Sequence, residues 1–295
     1  MAVFRSRFTR LTESRPVAAT RGVYDREASA LGRQIDRRVG DATRATTAAD
    51  STMLTGVVDT KMQTMARSLT AQLIEVQREA HGDVISTLSQ FMRKAEGTPS
   101  SLENERAAQR LLASREAGLE AQVQQIVAHE LGQIRATVTQ RIALMVQKGT
   151  PVSEASAIIQ GAIDAEFWRV ERAARTHISH VFNQAMTDAI RLLAATDKNL
   201  YMRWTEHIDD ASWMPTDNRV ANDSKLLHGQ VTRPGGNFVM PRDESVPGSM
   251  WGKTWTAPPN RPNDRAILLP WKAKYKTPAW IWRGMRKVWL VKRGA

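Results

Sequence analysis

The chain has 295 residues, of which 42% are hydrophobic, and it carries a formal net charge of +12 with no cysteine. This length predicts about two domains and a sizeable core. The lack of cysteine excludes disulfides, thiolate nucleophiles and thiolate zinc sites. Because no apolar run approaches the roughly 20 residues that span a bilayer, and no apolar signal core begins the chain, we expect a soluble protein made without Sec export and without stable membrane insertion.

The positive charge is concentrated at both ends of the chain. Residues 1–44 contain ten Arg against five acidic residues, and residues 272–295 contain eight Lys or Arg and no acidic residue. Clustered cations release condensed counterions from phosphate. The ends therefore suit nucleic acid or an acidic protein surface, and solvated termini without a partner are the alternative.

Long helices are predicted before the middle of the chain. Residues 1–22 lack a sustained period and are interpreted as a basic N-terminal arm, and residues 23–149 as a helical arm or hairpin interrupted at Gly97-Thr98-Pro99. Both helices carry an apolar stripe that steps by four, four and three residues, the period of a straight or slightly right-handed seam. The stripe positions are Leu54, Val58, Met62, Met65, Leu69, Leu73 and Val76, and then Val123, Val127, Leu131, Ile134, Val138, Ile142 and Met145.

Two matching stripes predict either an antiparallel hairpin or contacts with other subunits. We expect an oligomerising or docking arm, because an isolated hairpin has little core of its own. An intrachain helical bundle is the alternative. Gly149 is expected to end the second helix, with Thr150 as N-cap and Pro151 as the first residue of a third helix that runs to about Ala195.

The composition changes after this third helix. Eight of the nine Trp and nine of the twelve Pro follow Leu200. Alternating or apolar runs predict strands at residues 200–205, 237–240 and 266–269, the last closed by Pro270, and a short helix at 223–227. We therefore predict an α+β fold in which a long helical arm precedes a small, Trp-rich, loop-rich domain, residues 150–271, that includes its lead helix.

Residues 272–295 are interpreted as a basic, Trp-rich tail. The segment fits a hairpin turning at Arg283-Gly284, an interfacial membrane segment, or a peptide that docks on a partner. Because it contains no acidic residue to form intrachain pairs, we favour docking on a partner protein or on nucleic acid. The predicted contact residues are Lys272, Lys274, Lys276, Arg283, Arg286, Lys287, Lys292 and Arg293.

A set of scattered positions between Pro151 and Trp271 follows the order of a known family pattern. Those positions are Trp204, Asp217, Arg219, Leu227, Gly229, Phe238, Pro241, Pro262, Asn263 and Arg265. Upstream, Arg175, Thr176 and Asn183 match an Arg-Thr and an Asn of the preceding helix in that pattern. The chain thus resembles the phage head morphogenesis, or minor head, proteins typified by the F protein of phage Mu.

The chain departs from the family pattern at four positions. The pattern's second Arg is replaced by Ala221, its His by Ser224, and its two Cys by Asp264 and Ala266. In the family, the His and the Cys pair look like a metal or disulfide clamp that ties the closing segment to the loop after the first strand. Here a clamp must use hydrogen bonds or an ion pair, for example Asp264 with a nearby Arg, so we interpret it as structural.

The resemblance implies a non-enzymatic, low-copy component of the phage head, placed near the portal vertex during assembly in the host cytoplasm. No catalytic residue, metal or cofactor is expected. The implied partners are the portal protein and the major capsid or scaffolding protein, with DNA as a further contact. The chain is expected to form a homo-oligomer or to dock on another chain.

Two groups of titratable residues offer other chemistry. His177 and His180, spaced i, i+3, are candidates for one metal ion, but no third ligand is indicated and structural roles fit better. A loop cluster has the atoms for a divalent ion or for acid and base work, although acids are also ordinary in turns. It consists of Glu206, His207, Asp209, Asp210 and Asp217, with His228 beyond.

These residues leave two further classes open. A DNA-binding or metal-dependent DNA-processing protein would use Asp209 and Asp217 with the basic ends, and a membrane-active ejection protein would use the tail. Nucleophilic catalysis has no motif, since neither Gly-x-Ser-x-Gly nor a Walker loop occurs. Arg175 and Asn183 lie on one side of the third helix, and we predict that Arg175-Thr176 anchors this helix to the sheet.

Overall fold

The structure is a computed structural model, and it describes residues 10–96, 102–206, 222–258, 266–273, 279–283 and 286–291. It is mostly helical with a small sheet portion, which confirms the α+β class. A π-helical turn, Arg10–Ser14, precedes the first α-helix. The α-helices are α1 (Arg15–Val39), α2 (Ala48–Glu96), α3 (Leu102–Lys148), α4 (Ala155–Thr196) and α5 (Asn222–Leu227).

Two compact units make up the chain. A helical unit comprises Ala2–Val76 and Ala117–Arg175, and a second unit consists mainly of Gln77–Glu116 and Thr176–Ala295. None of the described helices has both the length and the apolarity needed to cross a bilayer.

The helical unit buries its apolar stripes in one core. The α2 stripe from Leu54 to Leu73 and the α3 stripe from Val123 to Met145 join residues of α1 and α4 in a single cluster. The start of α2 lies beside the end of α3, because the Thr46 N–H donates to the Thr150 carbonyl at 2.9 Å. Among the described residues, the stripes of this unit pack within the chain, as the bundle alternative requires.

The N-terminal part differs from the prediction in two places. Helix α1 begins at Arg15, inside the predicted arm, with Pro16 in its first turn, where the missing N–H costs nothing. The single helix expected between residues 23 and 96 is broken after Val39. Gly40 adopts φ 56°, a left-handed value that favours glycine and ends α1.

A capping box starts α2 after this break. The Thr47 N–H donates to Asp50 Oδ2 at 2.8 Å, and the Asp50 N–H donates back to Thr47 Oγ1 at 3.2 Å. Arg44 adds bonds from both terminal nitrogens to the Asp50 carboxylate, at 2.5 and 2.7 Å. The hydrogen bonds from Arg44 and Thr47 hold the pKa of Asp50 well below its usual range.

The end of α3 follows the prediction more closely. Gly149 has φ 64°, as expected of a residue that ends a helix. Pro151, however, is not the first residue of α4. It precedes a 3₁₀ turn, Val152–Glu154, and α4 begins at Ala155.

The second unit contains all seven strands of the described residues, in three small antiparallel sheets. The sheets are ordered β2-β1-β5, β3-β4 and β6-β7. The strands are β1 (Tyr201–Thr205), β2 (Val231–Thr232), β3 (Phe238–Val239), β4 (Thr254–Trp255), β5 (Ile267–Trp271), β6 (Ala279–Arg283) and β7 (Arg286–Val291). A 3₁₀ turn, Gly248–Met250, lies between β3 and β4.

Pro270 does not close the strand that contains it. It lies inside β5, opposite Met202 of β1. Because β5 is an edge strand in its sheet, a residue without an N–H is tolerated there.

The tryptophans of this unit are divided between core and surface. Trp204, Trp271 and Trp280 are buried, whereas Trp251 and Trp255 are partly exposed and Trp289 is 41% exposed. Aliphatic and Met side chains supply much of the remaining core. The predicted Trp-rich character of the small domain is therefore not supported.

Candidate functional site

Asn183 connects α4 to β5. Its buried amide donates to the Ala266 carbonyl at 3.0 Å and accepts from the Leu268 N–H at 2.9 Å. The same amide nitrogen also donates to the Ser179 carbonyl, one helical turn earlier, at 3.0 Å. Because β5 is the edge of its sheet, the side chain occupies backbone groups that a neighbouring strand would otherwise bind.

The buried side-chain amide of Gln230 binds the backbone of β3 in the same way that Asn183 binds β5. Gln230 donates from Nε2 to the Val239 carbonyl at 3.1 Å and accepts the Val239 N–H on Oε1 at 2.7 Å. Both backbone groups of one strand residue are thereby satisfied by one side chain. No sequence motif singled out Gln230, since an isolated glutamine after a glycine carries no local signal.

The segment around Gly229, which leads into β2, is hydrogen-bonded to β1 and to β6. The Gly229 N–H donates to the Trp204 carbonyl at 2.9 Å, and the Trp204 N–H donates to the Gln230 carbonyl at 2.9 Å. The Gly229 carbonyl accepts the N–H of Trp280 at 3.0 Å. Gly229 has φ 82°, which side chains rarely adopt, so a glycine is required here.

Aromatic packing completes this framework. The Trp204 and Phe238 rings meet edge to face, with centroids 5.3 Å apart. Leu227, at the end of α5, is fully buried. Five positions of the family pattern, Asn183, Trp204, Leu227, Gly229 and Phe238, therefore lie in the packed interior of the second unit.

A buried polar cluster surrounds β1. Arg203 is 2% exposed and donates to Thr205 Oγ1 at 2.7 Å, and burial lowers the pKa of its guanidinium to about 10. Trp204 Nε1 donates to Glu206 Oε1 at 2.8 Å. His228 Nδ1 accepts the Glu206 N–H at 3.1 Å, so this nitrogen is already used within the chain.

The environment of His228 keeps its imidazole neutral. Burial lowers the pKa of His228 well below its usual value, and the positive charges of Arg203 and Lys287 lower it further. Glu206 and His228 of the predicted loop cluster thus meet, whereas His207, Asp209, Asp210 and Asp217 lie outside the described residues. Among the residues that the structure describes, no three His, Asp or Glu form a group that could hold a metal ion.

His177 and His180 also belong to the interior. His177 Nε2 lies 3.1 Å from Gln77 Oε1, and His180 Nε2 lies 2.6 Å from the Gln184 amide nitrogen. Burial, together with nearby His180 and His81, lowers the pKa of His177 to about 4. Burial also lowers the pKa of His180. The sequence prediction missed His81, which comes from a different helix.

The anchoring role of Arg175-Thr176 stays a prediction. Asn183 forms bonds from α4 to β5, and Arg175 Nε is buried with no hydrogen-bond partner within the described ranges. The clamp position Asp264 is outside the described residues. So are five other family-pattern positions, Asp217, Arg219, Pro262, Asn263 and Arg265.

The basic residues after Trp271 differ in their burial and in their contacts. Lys272 is 7% exposed and its ammonium pairs with Asp197, so it is engaged inside the chain and is not presented to a partner. Arg283 and Lys287 are exposed. Arg286 lies in β7, but its side chain is outside the described part. The remaining predicted contacts, Lys274, Lys276, Lys292 and Arg293, are outside it too.

The segment from residue 272 onward does not form a separate tail where it is described. Trp280 in β6 is fully buried, and its Nε1 donates to the His228 carbonyl at 2.9 Å. Of the three predicted structures for this segment, the structure shows the hairpin, with Arg283 opposite Arg286.

No protein-family model, no curated protein and no solved structure matches this chain.

Proposed function

We propose that this chain is a structural protein of a phage head that acts in head assembly near the portal vertex. One observation carries the proposal. Several described residues that follow the minor head pattern join separate elements, and Asn183 does so across more than eighty positions of sequence to Ala266 and Leu268. A family of structural proteins is expected to retain the residues that hold its fold together.

The chemistry of these residues also favours assembly over catalysis. Asn183 and Gln230 bond to strand backbone, and His228 Nδ1 receives a backbone N–H. These groups stabilise the fold internally. A catalytic group, in contrast, must reach a reacting atom on a substrate.

The proposed partners are the portal protein and the major capsid or scaffolding protein, with DNA as a further contact. An exposed aromatic supports contact with another chain from the helical unit. Trp168 is 45% exposed, and the guanidiniums of Arg169 and Arg172 lie 5.2 and 4.6 Å from its ring. Such aromatic and arginine groups are enriched at protein interfaces.

Deleting the gene for this chain from its phage or prophage tests the proposed role. We expect lysates with few intact heads by electron microscopy, and restoration when the wild-type chain is supplied from a plasmid. The Asn183→Ala chain should restore fewer heads than Asn199→Ala, which alters an exposed Asn in the same unit. Normal numbers of DNA-filled heads from the deletion strain would contradict the proposal.

A further inference from the structure

In the β6-β7 hairpin of the second unit, β6 contributes buried residues, whereas most described side chains of β7 are exposed. In β6, Ala279 and Trp280 are buried. The backbone and the indole of Trp280 bond to the Gly229 and His228 carbonyls at 3.0 and 2.9 Å. β6 therefore holds β7 in place through the antiparallel ladder that pairs Trp280 with Trp289.

β7 exposes apolar side chains on both of its faces. Val288 is 37% exposed, and Trp289 and Leu290 are each 41% exposed. Successive residues of a strand point to opposite faces, so three consecutive exposed residues leave both faces open to solvent. Contiguous apolar surface of this kind commonly marks an interaction site.

Among the described residues, the outer edge of β7 is not paired with another strand. The hairpin forms a two-stranded sheet in which β7 pairs with β6, and no third strand joins it among the described residues. An edge strand presents backbone N–H and C=O groups that can pair with another extended chain. Backbone pairing and apolar side chains are thus offered by the same six residues.

The positive charge on this hairpin favours an acidic partner. No residue of 272–295 is acidic, and two of the basic residues in this stretch are exposed on the described part of the hairpin. Of these, Arg283 is exposed beside the hairpin turn, and Lys287 Nζ lies 4.4 Å from the centroid of the Trp289 ring. A second copy of the hairpin would bring like charges together, whereas an acidic segment would complement them.

We propose that β7 binds an extended acidic segment of a partner protein, which adds to the hairpin as a third strand. Its acidic side chains lie on the face of β7 that carries Lys287 and Trp289, and its apolar side chains cover Val288 and Leu290 on the opposite face. An extended peptide fits better than nucleic acid, because it can pair with the backbone N–H and C=O groups along the edge of β7. The inference is independent of the proposed assembly role, since it rests on the hairpin alone.

Short synthetic peptides test this surface on the full chain. The probe is a fluorescent peptide of about six alternating Glu and Val residues, the length of a typical strand, and binding is followed by fluorescence anisotropy. The comparison peptides replace Glu with Lys, or interrupt the strand with a central Pro. We expect the Glu peptide to bind at least roughly tenfold more tightly than the Lys peptide, and the Pro peptide to bind weakly, because it cannot complete the ladder.

Variants of two exposed tryptophans locate the binding site. Trp289→Ala should weaken binding of the Glu peptide by about tenfold, as the loss of an aromatic anchor does. Trp168→Ala is the matched control, because Trp168 is similarly exposed and lies beside two arginines on the helical unit. It should leave the affinity unchanged, and Leu290→Gln should weaken binding without loss of the folded circular dichroism spectrum.

Several results would overturn this proposal. The first is undetectable binding of the Glu peptide, or equal binding of the Glu and Lys peptides. The second is an equal loss of affinity for the Glu peptide in Trp289→Ala and Trp168→Ala. Stronger binding of a single-stranded oligonucleotide that Trp289→Ala abolishes would assign the edge to nucleic acid. A dimer in analytical ultracentrifugation that Trp289→Ala dissociates would assign it to a second copy.

Discussion

Replacing Asn183 with alanine is expected to destabilise the second unit by roughly 1 to 3 kcal/mol, the cost of a buried group left without a partner. The variant removes the acceptor of the Leu268 N–H and one hydrogen bond to the Ala266 carbonyl. Urea unfolding followed by Trp fluorescence measures the change, since eight of the nine Trp follow Leu200. Asn199→Ala, at an exposed position, should change the free energy of unfolding little.

Replacing Asn183 with aspartate changes its hydrogen bonding while keeping nearly the same side-chain volume, so it tests the hydrogen bonds apart from packing. In Asn183→Asp, a neutral carboxyl can donate to the Ala266 carbonyl and accept from the Leu268 N–H, whereas a carboxylate would repel the carbonyl. Burial raises the pKa of such a carboxyl in the folded state, so stability is retained below its unfolded pKa of about 3.9 and lost as pH rises. Relative to the wild type at each pH, Asn183→Asp should be nearly normal near pH 4 and clearly weakened at pH 7. Equal losses at both values would contradict the bonding pattern assigned to Asn183.

Acid is expected to destabilise the second unit through His177. The pKa of His177 falls from its usual 6.5 to about 4 in the folded chain, first because of burial and then because of His180 and His81. The unfolded state therefore binds the proton more readily. The contribution of neutral His177 to the free energy of unfolding is fully present above pH 6.5. It is lost as pH falls from that value to about pH 4, and the total loss is about 3 kcal/mol.

His177→Gln should remove this part of the pH dependence. A glutamine amide can still donate to Gln77 Oε1, the present neighbour of His177 Nε2 at 3.1 Å. Urea unfolding of both proteins between pH 7 and pH 4 gives the comparison, and carboxylates titrate equally in each. His129→Gln, which changes an exposed histidine of α3, should keep the wild-type profile. An unchanged pH profile in His177→Gln would show that His177 does not carry the effect.

Regular local patterns made the helices predictable from the sequence. The spacing from Leu54 to Leu73 and from Val123 to Met145 needs only neighbouring turns, and every one of those residues is buried. Gly149 was predictable for the same reason. The start of α2 is not predicted, although Thr47-x-x-Asp50 is a recognisable cap. The helical arm is predicted to continue without a break up to Gly97-Thr98-Pro99, because no proline occurs between Val23 and Glu96.

The connections between distant residues were much less predictable. Resemblance singled out Asn183, but not its bonds to Ala266 and Leu268. Gln230 was missed altogether, since its partner Val239 is identified only once two strands are placed side by side. Lys272 was assigned to a partner on charge alone. Its pairing with Asp197 depends on where α4 ends relative to β5, which composition does not specify.

Co-purification of the tagged chain with its neighbouring portal and major capsid proteins tests the proposed assembly role most directly. The proteins are expressed together, treated with nuclease, competed with bare DNA, and examined by mass spectrometry and electron microscopy. We predict recovery with portal rings or capsid shells that survives DNA competition. Recovery with DNA alone, lost as salt rises, would contradict the assembly role and favour a DNA-binding protein.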